Sequence, residues 1–494
     1  MSDPSNTRSD DAVLERFGYR PELERVLRSF SSFAIVFSFI SISTGIFATY
    51  GIVINSAGPL GIWSWPLVCA GQIIVALVIA ACAGRIPISG LSYQWMSRLT
   101  SPSLGWYLGW AFLGYGLITA PVVNLVLVGA YAQLTDTSFS NNQISAIVIG
   151  VTLVQAAILA ASTRSTAKVN NVAVWTELAS VAVFGVILAV IGLVSGEHGG
   201  GVSSLSSREP IGPHDYWYIF GAWFSTVLLG AFTFTGFDSA AALADETQRP
   251  YDAVPRGIVR ATVLSAIWGM IFLLGITLAA TGDWAKVGAA ASPVGFVAQD
   301  RLGSFLGDVV IVSVMVAIFA NSLIQTTVAS RLIWAISRDG RFPASSVFHG
   351  VHRRTKTPVN AIALATAIEI VVASFFTRLT DLIAASAIVP VGVYLVISIA
   401  YLARRDRFPV QPGGFSLGKY DLPVAVTAVA WGTALMVLLI GPDANHKSAE
   451  IAAAIFASGL VWWVALRIFA PERLRAEVAT AEPTAEAPGL ASET

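Results

Sequence analysis

Ser41-Ile42-Ser43-Thr44-Gly45-Ile46-Phe47 lies inside an apolar run, residues 29–54, that carries no charged side chain. Crossing the hydrocarbon core of a bilayer takes about 20 apolar residues in a helix. The run therefore reads as a membrane span, and its centre as a place where that span can leave helical geometry. Glycine lowers the cost of doing so, and small hydroxyl side chains can satisfy the backbone groups that unwinding frees. A second run, residues 217–244, repeats the pattern as Phe232-Thr233-Phe234-Thr235-Gly236-Phe237-Asp238. Alone, either cluster would read as a site of close helix packing, which is the reading for Gly105 and Gly109 in the third run.

Outward from these clusters, suitable runs recur at 29–54, 60–83, 105–131, 142–163, 170–195, 217–244, 258–281, 305–335, 358–376, 380–403, 422–441 and 449–470. The chain of 494 residues is 55% hydrophobic and only 12% charged, half the charge of a soluble domain, so lipid and not water must cover most of its surface. The expected fold class is all-α integral membrane with twelve transmembrane helices. With a cytoplasmic N-terminus, only Arg208, Lys286, Arg301, Arg378 and Lys447 of the 30 Lys and Arg residues fall outside. That is the asymmetry expected of a correctly counted and oriented set of spans. Residues 1–28 read as a cytoplasmic N-terminal tail, 29–470 as one membrane domain, and 471–494, rich in Ala and Glu, as a disordered cytoplasmic C-terminal tail. No cleavable signal sequence is expected, because the first 28 residues are polar. Cys69 and Cys82 lack the number and spacing of a disulfide framework or metal site.

The two Ser/Thr/Gly clusters lie five spans apart. An odd offset places the copies in opposite orientation, so the pattern implies a five-plus-five inverted repeat, with helices 1 and 6 interrupted at the membrane midplane, where transporters build their sites. The links 85–104 and 282–303 fall on opposite faces, and each has room for a short helix.

On these residues the sequence resembles the amino acid–polyamine–organocation transporter superfamily, closest to its amino acid/choline branch with the GABA permeases. The resemblance covers nearly the whole chain. Further landmarks are Gly18-Tyr19-Arg20-Pro21-Glu22-Leu23, Arg85-Ile86-Pro87-Ile88-Ser89-Gly90-Leu91-Ser92-Tyr93-Gln94-Trp95, and Asp245-Glu246-Thr247 through Pro250 to Pro255-Arg256-Gly257-Ile258. Arg85-Ile86 before Pro87 departs from the family's usual Ala, Glu or Tyr. The resemblance implies a LeuT-like bundle with spans 11 and 12 peripheral.

A site follows from the breaks. A helix N-terminus attracts anions, so the second half of span 1 is expected to offer free N–H groups near Thr44, Gly45 and Ile46 to a substrate carboxylate, with Ser43 also among the substrate-binding residues. The first half of span 6, ending at Phe232 and Thr233, is expected to offer carbonyls to a substrate ammonium, with Thr235, Gly236 and Phe237 around it. The resemblance implies an aromatic gate at Phe232. Tyr115 and Asn124 are candidates for the wall of the site.

Ionisable residues inside a span are costly and mark function by default. Glu177, Asp238 and Glu369 are three such residues. Asp238 reads equally as a cap of the second half of span 6. Glu177 stands where several relatives place a lysine, with the sign of charge reversed; it is a candidate proton carrier, a partner for a cationic substrate, or a sodium ligand. Glu369 reads as packing or interface. Sodium coupling would need Thr326, Thr327 or Ser330 to face span 1.

Together these point to a secondary transporter of amino acids or related small amines in the plasma membrane, coupled to H+ in symport and using no cofactor or metal. Substrate exchange, a polyamine, choline or other organic-cation carrier, and a non-transporting nutrient sensor stay open, as does the oligomeric state. His198, His214, His349, His352 and His446 all fall in loops, which argues against an enzyme with a buried His site. The basic residues follow membrane topology, which argues against a nucleic-acid partner.

Overall fold

The computed structural model describes residues 12–194, 201–209, 216–375, 379–407, 409–411 and 413–475. Among these the chain is helical, and ten of its helices are long and apolar enough to cross a membrane. The first apolar run forms α1 (Ser29–Ile40) and α2 (Ile42–Ala57), separated by Ser41 alone. After a turn at Gly58 come α3 (Ser64–Arg85), the short α4 (Leu91–Leu99) and α5 (Pro102–Thr135). α5 starts where Ser101 accepts the N–H of Leu104 and Pro102 takes the first helical position, both favourable at a helix start. α6 (Asn141–Ala161) opens on a Ser140/Gln143 capping box and is followed by α7 (Thr163–Val194).

The sixth apolar run departs from the expected single span of residues 217–244. Its helical part is Ala222–Thr233, of which α8 (Val227–Thr233) is the regular portion. Beyond the break the chain continues as a 3-10 helix, Ser239–Glu246, with a kink at Leu243. Next come α9 (Pro250–Ala279), α10 (Trp284–Ala289) and α11 (Pro293–Arg338). α11 begins before the expected position 305 because the link folds into a helical lead, bent at Gly303 where φ is 77°. α4 and α10 are the two link helices for which the sequence leaves room. α12 (Val359–Phe375) and α13 (Leu379–Arg404) are separate helices; of the expected link Thr377–Thr380, Thr377 and Arg378 lie outside the described residues, and Leu379 and Thr380 already belong to α13. α14 (Asp421–Ile440) and α15 (His446–Phe469) complete the set.

Burial ranks these helices. The central windows of α1–α2 and α5 are 83% and 89% buried, whereas those of α6 and α15 are 22% buried. α11 lies along α5, and α9 along α7 and α3. α14 and α15 carry exposed Val426, Val437, Leu460, Val461, Ile468 and Phe469, an apolar surface suited to lipid. Tightly packed central helices thus stand inside a ring of lipid-facing ones. Val13, Leu14, Phe17, Leu23 and Leu27 are buried, so residues 12–28 pack on the bundle. Pro471–Arg475 form a further helical turn.

Candidate functional site

The first break is at Ser41, whose φ of 37° and ψ of 92° end α1. A non-glycine residue at positive φ is uncommon, and its side chain is fully engaged here. The Ser41 hydroxyl accepts from the Thr44 N–H (3.3 Å) and shares a 2.7 Å bond with the Thr44 hydroxyl. It donates to Glu177 Oε1 at 3.0 Å. The same carboxyl oxygen accepts the Ser43 N–H at 2.9 Å. On the other side of the break, Asn321 Nδ2 donates to the Ser38 and Phe39 carbonyls at 2.7 and 2.6 Å, and Gln325 Nε2 donates to Asn321 Oδ1 at 2.6 Å.

This corrects the expectation of free N–H groups at Thr44, Gly45 and Ile46. The break falls before those residues, because Ser41 and not Gly45 takes the unusual backbone conformation. The Gly45 N–H already bonds the Ser41 carbonyl at 3.0 Å. Gly45 is needed for closeness instead, since a Cβ there would run into the Thr233 side chain. The two breaks therefore meet at Gly45 and Thr233.

The second break follows Thr233 and turns on Gly236, where φ is 68°. The Thr235 hydroxyl donates to the Phe232 carbonyl at 2.9 Å and accepts from the Tyr115 hydroxyl at 2.9 Å. Thr233 returns its hydroxyl to the Leu229 carbonyl of its own helix at 2.7 Å. The Gln72 amide donates to the Phe234 carbonyl at 3.2 Å. The Gly236 N–H donates to the Tyr394 hydroxyl at 2.9 Å, and that hydroxyl donates to Asp238 Oδ1 at 2.7 Å. The Phe237 ring stacks on Tyr394 with centroids 4.5 Å apart. Phe39 lies 6.4 Å from Tyr115 and blocks any Cβ on Gly236. Phe232 is buried at the end of α8. Asp238 does not cap the following turn, as expected of it; its side chain makes no capping bond, because Tyr394 holds it. Its second oxygen, Oδ2, is buried and has no hydrogen-bond partner among the described residues.

Other candidates lie elsewhere. Asn124 bonds Thr152 and Gln155 between α5 and α6. Glu369 on α12 accepts from the Thr326 hydroxyl at 3.0 and 3.1 Å, so Thr326 faces α12. Thr327 and Ser330 return their hydroxyls to carbonyls of their own helix. Tyr394, Asn321 and Gln72 did not stand out in sequence. A signal existed for Asn321, since an amide in mid-span is costly unless partnered.

A second polar layer joins the ends of these elements. Arg331 donates to Glu246 Oε1 at 2.9 Å and to the Thr163 hydroxyl at 3.1 Å, and Thr163 donates to Glu246 Oε2 at 2.6 Å. Arg338 pairs with Asp245 at 2.7 Å, and Asp245 accepts the Ser89 N–H at 2.9 Å. Tyr19 lies under the Arg338 guanidinium at 3.8 Å, and its hydroxyl reaches the Asp339 carboxylate at 3.1 Å. The Leu27 N–H donates to the Glu246 carbonyl at 2.9 Å. The landmarks around Tyr19, Ser89 and Asp245–Thr247, far apart in sequence, thus meet in one polar layer. Beside it a cavity of about 470 Å³ is lined by Glu24, Thr163, Arg164, Glu246, Arg354 and Lys356.

Residues 27–465, nearly the whole helical body, match the family model described as amino acid permease. The chain belongs to the amino acid permease family. It is 28% identical over 473 residues to the amino-acid permease BAT1 of Arabidopsis thaliana, covering 90% of each chain. A BAT1 homolog of Oryza sativa is 29% identical over 476 residues, covering 87% of each. The branched-chain amino acid permease BcaP of Lactococcus lactis is 26% identical over 403 residues, covering 77% of this chain and 83% of the relative. This permease is accordingly a multi-pass membrane transporter of the amino acid–polyamine–organocation superfamily.

Proposed function

We propose that the permease carries amino acids across the plasma membrane by alternating access, in symport with protons. The observation that carries this reading is the meeting of two helix breaks at Gly45 and Thr233, each with a buried carboxyl beside it: Glu177 at the first and Asp238 at the second. Broken helices expose backbone ends of opposite polarity, which suits a zwitterion without burying side-chain charge. Buried carboxyls that are not paired with a base can take up and release a proton. In this reading twelve spans form a LeuT-like five-plus-five inverted repeat, with α14 and α15 outside it. Residues 29–470 are the transport domain, and the tails at 1–28 and 471–494 are cytoplasmic.

Ser43, Thr44, Gly45 and Ile46 line the carboxylate end of the site, where the N–H groups of Thr44 and Gly45 are already bonded to Ser41, and Phe232, Thr233, Thr235, Gly236 and Phe237 line the ammonium and side-chain end, with Phe232 as gate. The layer around Arg331–Glu246 and Tyr19 serves as the cytoplasmic seal. The names of the relatives support amino acids as the substrate class. The unpartnered Asp238 oxygen favours one alternative, an organic cation held by that carboxylate.

Thermal stabilisation of the purified protein tests the reading, because a ligand that binds only the folded state raises apparent stability by mass action. Amino acids and GABA should stabilise it, and choline and polyamines should not. Stabilisation by carboxylate-free amines alone would overturn the amino acid reading in favour of the organic-cation one.

A further inference from the structure

Glu177 occupies the place that the first break offers to a carboxylate. Its Oε1 accepts the Ser43 N–H at 2.9 Å and the Ser41 hydroxyl at 3.0 Å. Ser43 is the second residue of the 16-residue α2. N–H groups at that position have no acceptor in their own helix, and the helix end favours a negative charge. The interaction is therefore one between a carboxylate and a helix N-terminus, with the carboxylate supplied by α7. A substrate carboxylate directed to the same end finds it filled, and two like charges cannot share one buried site. At the facing break Asp238 Oδ2 is buried and has no hydrogen-bond partner among the described residues. The ammonium of a zwitterion would complete it.

We propose that Glu177 is an internal occupant of the carboxylate site and that its protonation vacates the site for the substrate. The inference rests on the amino acid reading above. With the outer path open, Glu177 takes one proton from water, loses its charge and releases the Ser43 N–H, and the substrate carboxylate takes that N–H. With the cytoplasmic path open, the substrate leaves, Glu177 gives the proton to water on that side, and its carboxylate returns to α2. One proton and one zwitterion then move in the same direction, and the zwitterion does not bind while the Glu177 carboxylate holds the Ser43 N–H.

Among the described residues, the helices packed around Glu177 bring no base that would hold it permanently charged. From α1–α2 it faces Ser41 and Ser43. Tyr50 on α2 is bonded to Thr277. α9 carries Tyr251, Asp252, Arg256 and Arg260 near its start and no titratable group over 261–279. α11 carries none between Asp308 and Arg331, and α6 carries none at all. On α7 itself, Arg164 and Lys168 stand near the start of the helix.

The test is calorimetry on the full-length protein in two buffers of different ionisation enthalpy, which counts protons taken up per ligand bound. The probes are the tightest-binding amino acid, found among the twenty standard ones and GABA, and the amine that lacks only its carboxyl group. For the wild type, zwitterion affinity should fall by up to about tenfold per pH unit as pH rises through the titration of Glu177, with uptake approaching one proton. Amine binding should take up none. Glu177→Gln should bind the zwitterion with a flat pH profile, and Glu177→Asp should keep the slope. Zero proton uptake by the wild type at every pH, equal uptake with the amine, or an undiminished slope in folded Glu177→Gln would each overturn the proposal while leaving amino acid binding intact. Should Glu177→Gln fail to fold, the proton counts on the wild type decide. If no amino acid binds at any pH, the amino acid reading itself fails and the inference falls with it.

Discussion

The Tyr394 hydroxyl donates to Asp238 at 2.7 Å while accepting the Gly236 N–H at 2.9 Å, so one side chain from α13 sets both the turn and the acid of the second break. Tyr394→Phe keeps the ring that stacks on Phe237 and removes only the oxygen. Each buried group left without its partner costs about 1–3 kcal/mol. We expect a lower melting temperature and a loss of most uptake in vesicles, with the protein still in the membrane. Unchanged melting and uptake would show that the hydroxyl holds nothing.

Gly45→Leu and Gly236→Leu should each abolish uptake without preventing membrane insertion. Gly45 has no room because Thr233 lies against it, and Gly236 none because Phe39 does. At Gly236 the positive φ adds roughly 1–2 kcal/mol for any residue with a Cβ. Surface abundance measured beside uptake separates the two effects. Normal uptake by both variants would remove the meeting of the two breaks as the basis of function.

Arg331 and Glu246 are 2% and 1% exposed and lie 2.9 Å apart. Removing one partner of such a pair costs about 3–5 kcal/mol, whereas replacing both with apolar residues is often neutral. Glu246→Gln should therefore be less stable than Arg331→Met/Glu246→Leu. Both should expose a cysteine placed at Thr163 to thiol reagents, against a low background because Cys69 and Cys82 are buried. A Thr163→Cys label unaffected by either change would mean that the pair seals nothing.

Tyr19→Ala should loosen the N-terminal segment, since the ring lies under Arg338 at 3.8 Å and beside Arg98 at 5.7 Å. Such contacts contribute about 0.5–2 kcal/mol. Limited proteolysis within residues 12–28 should speed up several-fold in Tyr19→Ala and little in Tyr19→Phe, which keeps the ring. Equal rates in all three proteins would place the anchoring in Leu23 and Leu27 instead.

Runs of apolar residues announce spans because lipid imposes a single requirement on length and composition, and every expected run contains a helix. The positions of the breaks were only half legible. The Ser/Thr/Gly cluster marks the neighbourhood, but whether Ser41 or Gly45 leaves helical geometry depends on partners from other helices: Glu177 for the amides that follow, Asn321 for the carbonyls that precede. Gly236 was legible because no neighbour is needed for glycine to take positive φ. Tyr394 was not, since a tyrosine in an apolar run reads the same whether its hydroxyl meets a loop or a buried carboxylate. The Arg331–Glu246 layer was hidden for a related reason: the partners that bond across it are 83 to 320 positions apart, and their charges resemble ordinary loop charges until folding brings them together.

The joint at Ser41 has a mechanical consequence. One side of it, at Ser38 and Phe39, is fastened to α11 through Asn321; the other, at Ser43, is fastened to α7 through Glu177. While both fastenings hold, the end of α1 is tied to α11 and the start of α2 to α7, so a rotation between those two helices would strain the joint at Ser41.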